Sequence, residues 1–235
     1  MMNIDWQPLS YLLQKVYSDL ELSHYFASDA AYLKTAFDFT EALWHRQIDR
    51  MSDVKIVMLS EAPLFGGKQT YIYNPDSPPT PFFHFNDLEA LGCVISDKRS
   101  WPRDQTRKSF LIEQMAVKRF LVLDLFPFAF NPNDTAINYR QMSQYTYFRL
   151  LSETAPYYLI PKIRLIHVKG QNPPVFVYRY KKLFEKTNRF VESLSVDHGV
   201  VADGFELESI NGKNMSLDRR KLSQIYYRLC ANRQN

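Results

Sequence analysis

Cysteine is scarce in this chain: among 235 residues only Cys93 and Cys230 carry a thiol. Two distant thiols supply neither a zinc ribbon nor an iron–sulfur cluster, so no cofactor and no metal is expected, and both cysteines read as small buried hydrophobes. Glycine is also sparse, at seven against 13 prolines, which predicts stiff, proline-shaped loops. No apolar run approaches the roughly 18 residues that span a bilayer, so no membrane association is expected. The opening MMNIDWQPLS shows no basic leader, apolar stretch and cleavage site, and a reducing, cytoplasmic setting is the expectation. The P-loop, GxGxxG, GxSxG and HExxH patterns are all missing, which argues against a phosphate-loop ATPase and the two commonest hydrolase signatures.

What is present is an ordinary globular composition, 46% hydrophobic, 15% aromatic and 23% charged. That is enough apolar material for one sizeable core, and with no repeat or linker the reading is a single domain over residues 1–235, expected to be a monomer. The net charge of +4 is unevenly spread: residues 1–53 carry 4 Lys or Arg against 8 Asp or Glu, and residues 162–235 carry 14 against 7. A basic C-terminal third suits an anionic partner, nucleic acid being the commonest; a solvated basic face gives the same count.

Helical spacing of Leu9, Leu12, Leu13 and Val16, then of Leu33, Phe37, Leu43 and Trp44, predicts two or three opening helices. The first strand is expected over 54–59 and a second over 119–126, after a helix ending near Lys118. A helix around 137–153, a third strand over 163–170, a helix over 175–186 and a fourth strand over 190–196 complete the expected alternation. The FELESI segment between Asp203-Gly204 and Asn211-Gly212 predicts a hairpin before a last helix bearing Leu222, Ile225, Tyr226 and Leu229. Together these give an α/β fold, three-layer α/β/α with a central, mostly parallel four-stranded sheet.

In such sheets ligands bind beyond the carboxyl ends of the strands. The first strand runs into Ser60-Glu61-Ala62-Pro63-Leu64-Phe65-Gly66-Gly67-Lys68-Gln69-Thr70, which opens a Gly/Pro/Asn/Asp-rich loop to about Phe85, and the second ends in Asp124-Leu125-Phe126-Pro127. Loops this long inside a domain are usually functional. Cations interleave with aromatics at Lys98-Arg99-Ser100-Trp101-Pro102-Arg103, continuing to Lys108, a pattern suited to phosphates and stacked bases. Tyr178-Arg179-Tyr180-Lys181-Lys182 repeats it, but Val175, Tyr178 and Lys182 share one helical side, so it reads as an amphipathic helix face. His167 reads as a core histidine within the third strand, and His84 as a loop residue near Phe82.

A strand followed by SEAPLFGGKQT and then Pro81-Phe82 resembles the first motif of the uracil-DNA glycosylase superfamily. Ser60-Glu61-Ala62-Pro63 is similar to the GEAPG of its thermophilic members. Leu64 to Thr70 with Pro81-Phe82 is similar to the NPGPFGMAQTGVPFG of the single-strand-selective members, and Asp124 to Phe130 to their NLCPLLF. The resemblance covers roughly the central half of the chain. It departs at Asp197-His198-Gly199, where the family has His-Pro-Ser, and at Asp124, where it has the Asn that reads uracil.

The resemblance implies metal-free hydrolysis of the N-glycosidic bond of uracil or another damaged base in DNA, with DNA as partner. Glu61 then orients the water and stabilises cationic sugar character, and His198 donates to the departing base. Ala62, Pro63, Phe65, Phe82 and Asp124 form the base pocket, with Phe82 as the stacking floor. Lys68, Lys98, Arg99, Arg103 and Lys108 contact nucleic acid. An ionised Asp124 only accepts, so it matches an amino-bearing base edge, or a carbonyl edge if protonated. Two alternatives stand beside this: a non-catalytic nucleic-acid-binding relative, and an unrelated α/β hydrolase of nucleotides or sugars using Glu61 and Asp124.

Overall fold

The computed structural model describes residues 4–78, 80, 82–95, 105–170, 172–200, 207–212 and 216–231. Helix α1 (Trp6–Asp19) starts where the Asp5 side chain accepts from Gln7 N, and α2 (Phe26–Asp49) follows a single 3-10 turn. Their buried faces carry Leu9, Leu13, Val16 and Tyr17, and Leu33, Phe37, Trp44 and Ile48, the spacing of a helix packed on one side.

β1 (Ile56–Ser60) and β2 (Phe120–Asp124) are buried along their whole length, as continuous apolar runs in a doubly covered sheet must be. Between them lie the long loop, the 3-10 segment Phe85–Leu91 and α3 (Gln105–Val117). After β2 come α4 (Gln144–Thr154) and α5 (Leu159–Val168), then β3 (Val175–Tyr178), α6 (Lys181–Asp197), β4 (Leu207–Ser209) and α7 (Arg219–Ala231). The four strands form one fully parallel sheet in the order β2-β1-β3-β4, with Ser60 opposite Asp124, Leu59 opposite Tyr178 and Tyr178 opposite Ser209. Helices cover both faces, giving the expected α/β/α layering.

The strand count and direction agree with expectation, but two strand positions do not. Of residues 163–170, expected as the third strand, 163–168 belong to α5 and Lys169 caps it, because Leu159, Ile160, Ile163 and Ile166 recur at helical spacing. The third strand is Val175–Tyr178, within a segment expected to be helical; Pro173-Pro174 stops the preceding structure, and the all-buried Val-Phe-Val-Tyr run has no period to betray it. The segment 190–196, expected as the fourth strand, is the second half of α6, whose buried Leu183, Thr187, Val191 and Leu194 line one face. The segment expected as a hairpin contains β4, which adds in parallel beside β3, and the antiparallel return before α7 comes after it, where Asn211 bridges Leu217, Gly212 N donates to Ser216 O (2.8 Å) and Asp218 N to Ile210 O (2.8 Å); residues 203–206 and 213–215 lie outside the described residues. Among the described residues no helix is long and apolar enough to cross a membrane.

The order β2-β1-β3-β4 sets the location of any site. From β1 the chain crosses to β2 on one side, and from β2 it crosses back over β1 to β3. The connections leaving β1 and β3 therefore diverge, opening a crevice beyond their carboxyl ends, the general ligand position of open α/β sheets.

Candidate active site at the strand ends

Glu61 follows β1 directly and is half-buried at this crevice. Two bonds from the segment after β2 fix its backbone: Leu125 N donates to Ser60 O (2.9 Å) and Phe126 N to Glu61 O (3.0 Å). Its Oε1 accepts from the Tyr147 hydroxyl at 3.0 Å. Tyr147 lies on α4 with its ring fully buried against Phe126 and Tyr139, and burial together with the Glu61 charge pushes its pKa far up, so it remains a donor. The Lys186 ammonium of α6 sits 3.0 Å from the centroid of that ring. Desolvation lowers the Lys186 pKa while Glu61 opposes the shift, so the ammonium is electrostatically coupled to the carboxylate. A carboxylate, a phenol and an ammonium thus converge on one strand end. Tyr147 and Lys186 carried no signal in sequence, because they come from α4 and α6 and meet Glu61 only through the sheet.

The other expected pocket residues divide. Phe82 is half-buried at the mouth, with Tyr180 edge-on at 5.8 Å and the Arg179 guanidinium 5.9 Å from its centroid. Pro63 is buried, and Ala62 packs partly against the core. Phe65 turns away onto α2, edge-on to Tyr32 (5.7 Å) and Phe39 (5.6 Å). The glycine pair after it makes a tight turn instead of a phosphate cradle: Thr70 N donates to Phe65 O, and Gly66 takes φ +61 with its N–H on the Tyr32 hydroxyl. A Cβ at Gly66 would meet Asn131 Nδ2 at 3.0 Å, so both the backbone angle and the neighbour require glycine. Lys68 is exposed beside this turn.

Asp124, expected to read a base edge, is instead an interior group. It is 3% exposed, and its two oxygens accept from Ser60 Oγ and from the Tyr71 hydroxyl (3.3 Å). Burial pushes its pKa up to about 6; the bonds from Ser60 and Tyr71 and the Lys162 charge oppose that rise, and Glu41 adds to it. Through these two bonds it ties β1, β2 and the long loop together.

His198 is placed away from Glu61. It caps the carboxyl end of α6, and α6 runs back from the end of β3, so His198 lies at the amino-terminal edge of the sheet, where its carbonyl accepts from Arg164 Nη2 (2.8 Å). A strand over 190–196 would end at the sheet's carboxyl edge; as the second half of α6 the same segment carries His198 to the opposite edge. His167 lies on α5, half-buried, with its ring stacked on Phe176 and its Nε2 buried without a hydrogen-bond partner. His84 is exposed, and its backbone N–H donates to Asp87 Oδ2 (2.8 Å).

Lys108, expected on a phosphate, is 1% exposed and donates to Tyr71 O (3.0 Å), Ser77 Oγ (3.0 Å) and Pro78 O (3.1 Å). It is an internal clamp on the long loop, and desolvation lowers its pKa to about 8. Lys98, Arg99 and Arg103, like Pro81, lie outside the described residues. The cations shown at this edge come from the basic C-terminal third: exposed Lys181, Lys182 and Lys186 in the first two turns of α6, and exposed Arg219 and Arg220 at the start of α7. The Tyr178 to Lys182 segment is therefore a strand end running into a helix start, and the interleaving of cations and aromatics was the signal that could have placed it at the site.

Among the described residues no group of three or more His, Cys, Asp or Glu side chains is arranged to hold a metal. None of the protein-family models matches the chain, and no curated protein and no solved structure matches it either.

Proposed function

We propose that this protein hydrolyses the N-glycosidic bond of uracil or another damaged base in DNA, with Glu61 as the carboxylate that holds the attacking water. The observation that carries the reading is the half-buried Glu61 at the carboxyl end of a central parallel strand, hydrogen-bonded by Tyr147 on an edge rimmed by exposed lysines and arginines. A carboxylate so placed orients a water toward the anomeric carbon, stabilises positive charge developing on the sugar and takes the water's proton as the new C–O bond forms. The C–N bond breaks with its electron pair leaving on the base. Phe82 and Tyr180 offer an aromatic wall for an extruded base, and the cationic rim suits the flanking phosphates.

The test is release of a base from single-stranded and duplex oligonucleotides, read as alkali-labile sites across uracil, hypoxanthine, xanthine and alkylated bases. Glu61→Gln is expected to lower the rate about 10²–10⁴-fold without loss of the fold. No cleavage of any of these bases refutes the reading.

A second reading is favoured by one observation: His198, the expected partner in catalysis, lies at the opposite edge of the sheet. It makes the chain a nucleic-acid-binding module without turnover. DNA binding whose salt dependence shrinks by about one counterion with each of Lys182→Glu and Lys186→Glu, in the absence of cleavage, distinguishes it.

A further inference from the structure

Arg179 immediately follows β3, one strand over from Ser60 and Glu61, at the crevice between β1 and β3. Its side chain is 7% exposed. Nε and Nη1 are both buried with no hydrogen-bond partner, and the nearest carboxylate oxygen, Asp87 Oδ2, stands 4.0 Å from Nη1, beyond hydrogen-bonding distance. Asp87 is already engaged, with Oδ1 accepting from Arg219 Nε (2.8 Å) and Oδ2 from the His84 backbone (2.8 Å). One carboxylate is thus shared between two guanidiniums, and the bonded one is Arg219. Phe82 and Tyr180 flank Arg179, their ring centroids 5.9 and 5.5 Å from its central carbon, and replace water with aromatic surface. A buried guanidinium that lacks acceptors is an expense that folded chains rarely carry without a use.

The next element supplies a second set of donors. Helix α6 begins two residues later, is 17 residues long, and has no side-chain cap at its N-cap residue Tyr180. Its first-turn N–H groups and the exposed Lys181 and Lys182 therefore border the same strand end.

We propose that Arg179 and the amino terminus of α6 form an oxyanion subsite that takes a phosphate group. A phosphate carries the charge Arg179 lacks and enough acceptor oxygens to fill both the guanidinium and the helix amides, and a strand end leading into a helix amino terminus is a standard place for one. A neutral carbonyl would leave the charge uncompensated. The phosphate belongs either to a nucleotide or to a nucleic-acid backbone. The subsite stands beside the proposed base-releasing activity and does not depend on it.

The test titrates the full chain with inorganic phosphate, a nucleoside 5′-monophosphate and an oligonucleotide without terminal phosphates, with acetate as the control anion, and repeats it on Arg179→Met and on Lys15→Met, an exposed position of α1. Saturable phosphate binding that falls about 10- to 100-fold in Arg179→Met and stays within about twofold in Lys15→Met is expected. An equal fall for the oligonucleotide identifies a backbone phosphate, and a fall confined to the mononucleotide a terminal one. With no ligand present, Arg179→Met is expected to melt at or above the wild-type temperature, since it removes a buried guanidinium whose only carboxylate neighbour among the described residues, Asp87, is 4.0 Å away and already bonded by Arg219. Absence of phosphate binding, binding unaffected by Arg179→Met, or a variant that unfolds because the contact with Asp87 is structural each overturns the proposal. Failure of base release with phosphate binding intact overturns only the glycosidic reading.

Discussion

Replacing Asp124 by Asn separates a reader of bases from a member of the core. Asp124 is buried, and its pKa stands at about 6 against an ordinary 3.8. That gap of about 2 pH units, at ~1.4 kcal/mol each, is about 3 kcal/mol of linkage. The sign follows from proton binding: between pH 4 and 6 the folded chain keeps a proton that the unfolded chain has released, so this group's contribution to stability falls as pH rises through that window. Above about pH 6 the loss is complete. Asn removes the titration and keeps one oxygen for a hydroxyl donor, at a cost of about 1–2 kcal/mol for replacing the second acceptor oxygen, which Ser60 or Tyr71 then lacks, by an amide NH₂. Asp124→Asn is therefore expected to be less stable than wild type near pH 4 and equal to it or about 1–2 kcal/mol more stable at pH 7.5. Urea unfolding of both proteins at half-unit steps from pH 4 to 7.5 measures the difference. A stability difference that stays flat with pH refutes the buried-carboxylate argument, and selective loss of base release with unchanged stability restores the reader.

Two further outcomes follow from buried cations. Lys162 is fully buried between the Trp44 and Tyr158 rings, at 4.4 and 4.0 Å, and bonds Glu41 Oε1, so Lys162→Met is expected to cost about 3–5 kcal/mol by stranding that carboxylate. The Glu41→Gln/Lys162→Met pair is expected to recover most of it in chemical denaturation, and a double variant no better than the single one contradicts this. Lys108→Met removes the three bonds that hold the long loop, so proteolysis within 61–78 is expected to quicken about tenfold or more. Because burial holds the Lys108 pKa at about 8, below its ordinary 10.5, wild-type stability gains from this group as pH rises from 8 to 10.5, and melts at pH 7.5 and 10 should lack that gain in the variant.

Elements with a clear helical period were legible: α1, α2 and α7 fall where Leu9 to Val16, Leu33 to Trp44 and Leu222 to Leu229 predict them. So were β1 and β2, apolar runs bounded by turn residues. Residues 159–197 were not, because a short apolar run is buried equally well as a strand or as one side of a helix, and Ile163 to Val168 and Phe190 to Val196 fit either. That ambiguity displaced His198 from the sheet's carboxyl edge and hid Arg179, which became a strand-end residue once β3 was located at Val175–Tyr178.

The sequence by itself determined an α/β layering, a buried β1 and β2, a long loop after β1, and Glu61 at its start. These are local properties, written in composition, period and turn residues. The tertiary structure alone decided which polar groups face a crevice and which are consumed by the core. Asp124 and Lys108 carry the same charges in sequence as any surface residue, yet each spends its hydrogen bonds on neighbours brought from distant parts of the chain. Tyr147, Lys186 and Arg179 reach the strand ends only through the order β2-β1-β3-β4. Burial and partnership are properties of packing, and no residue carries either before the chain has folded.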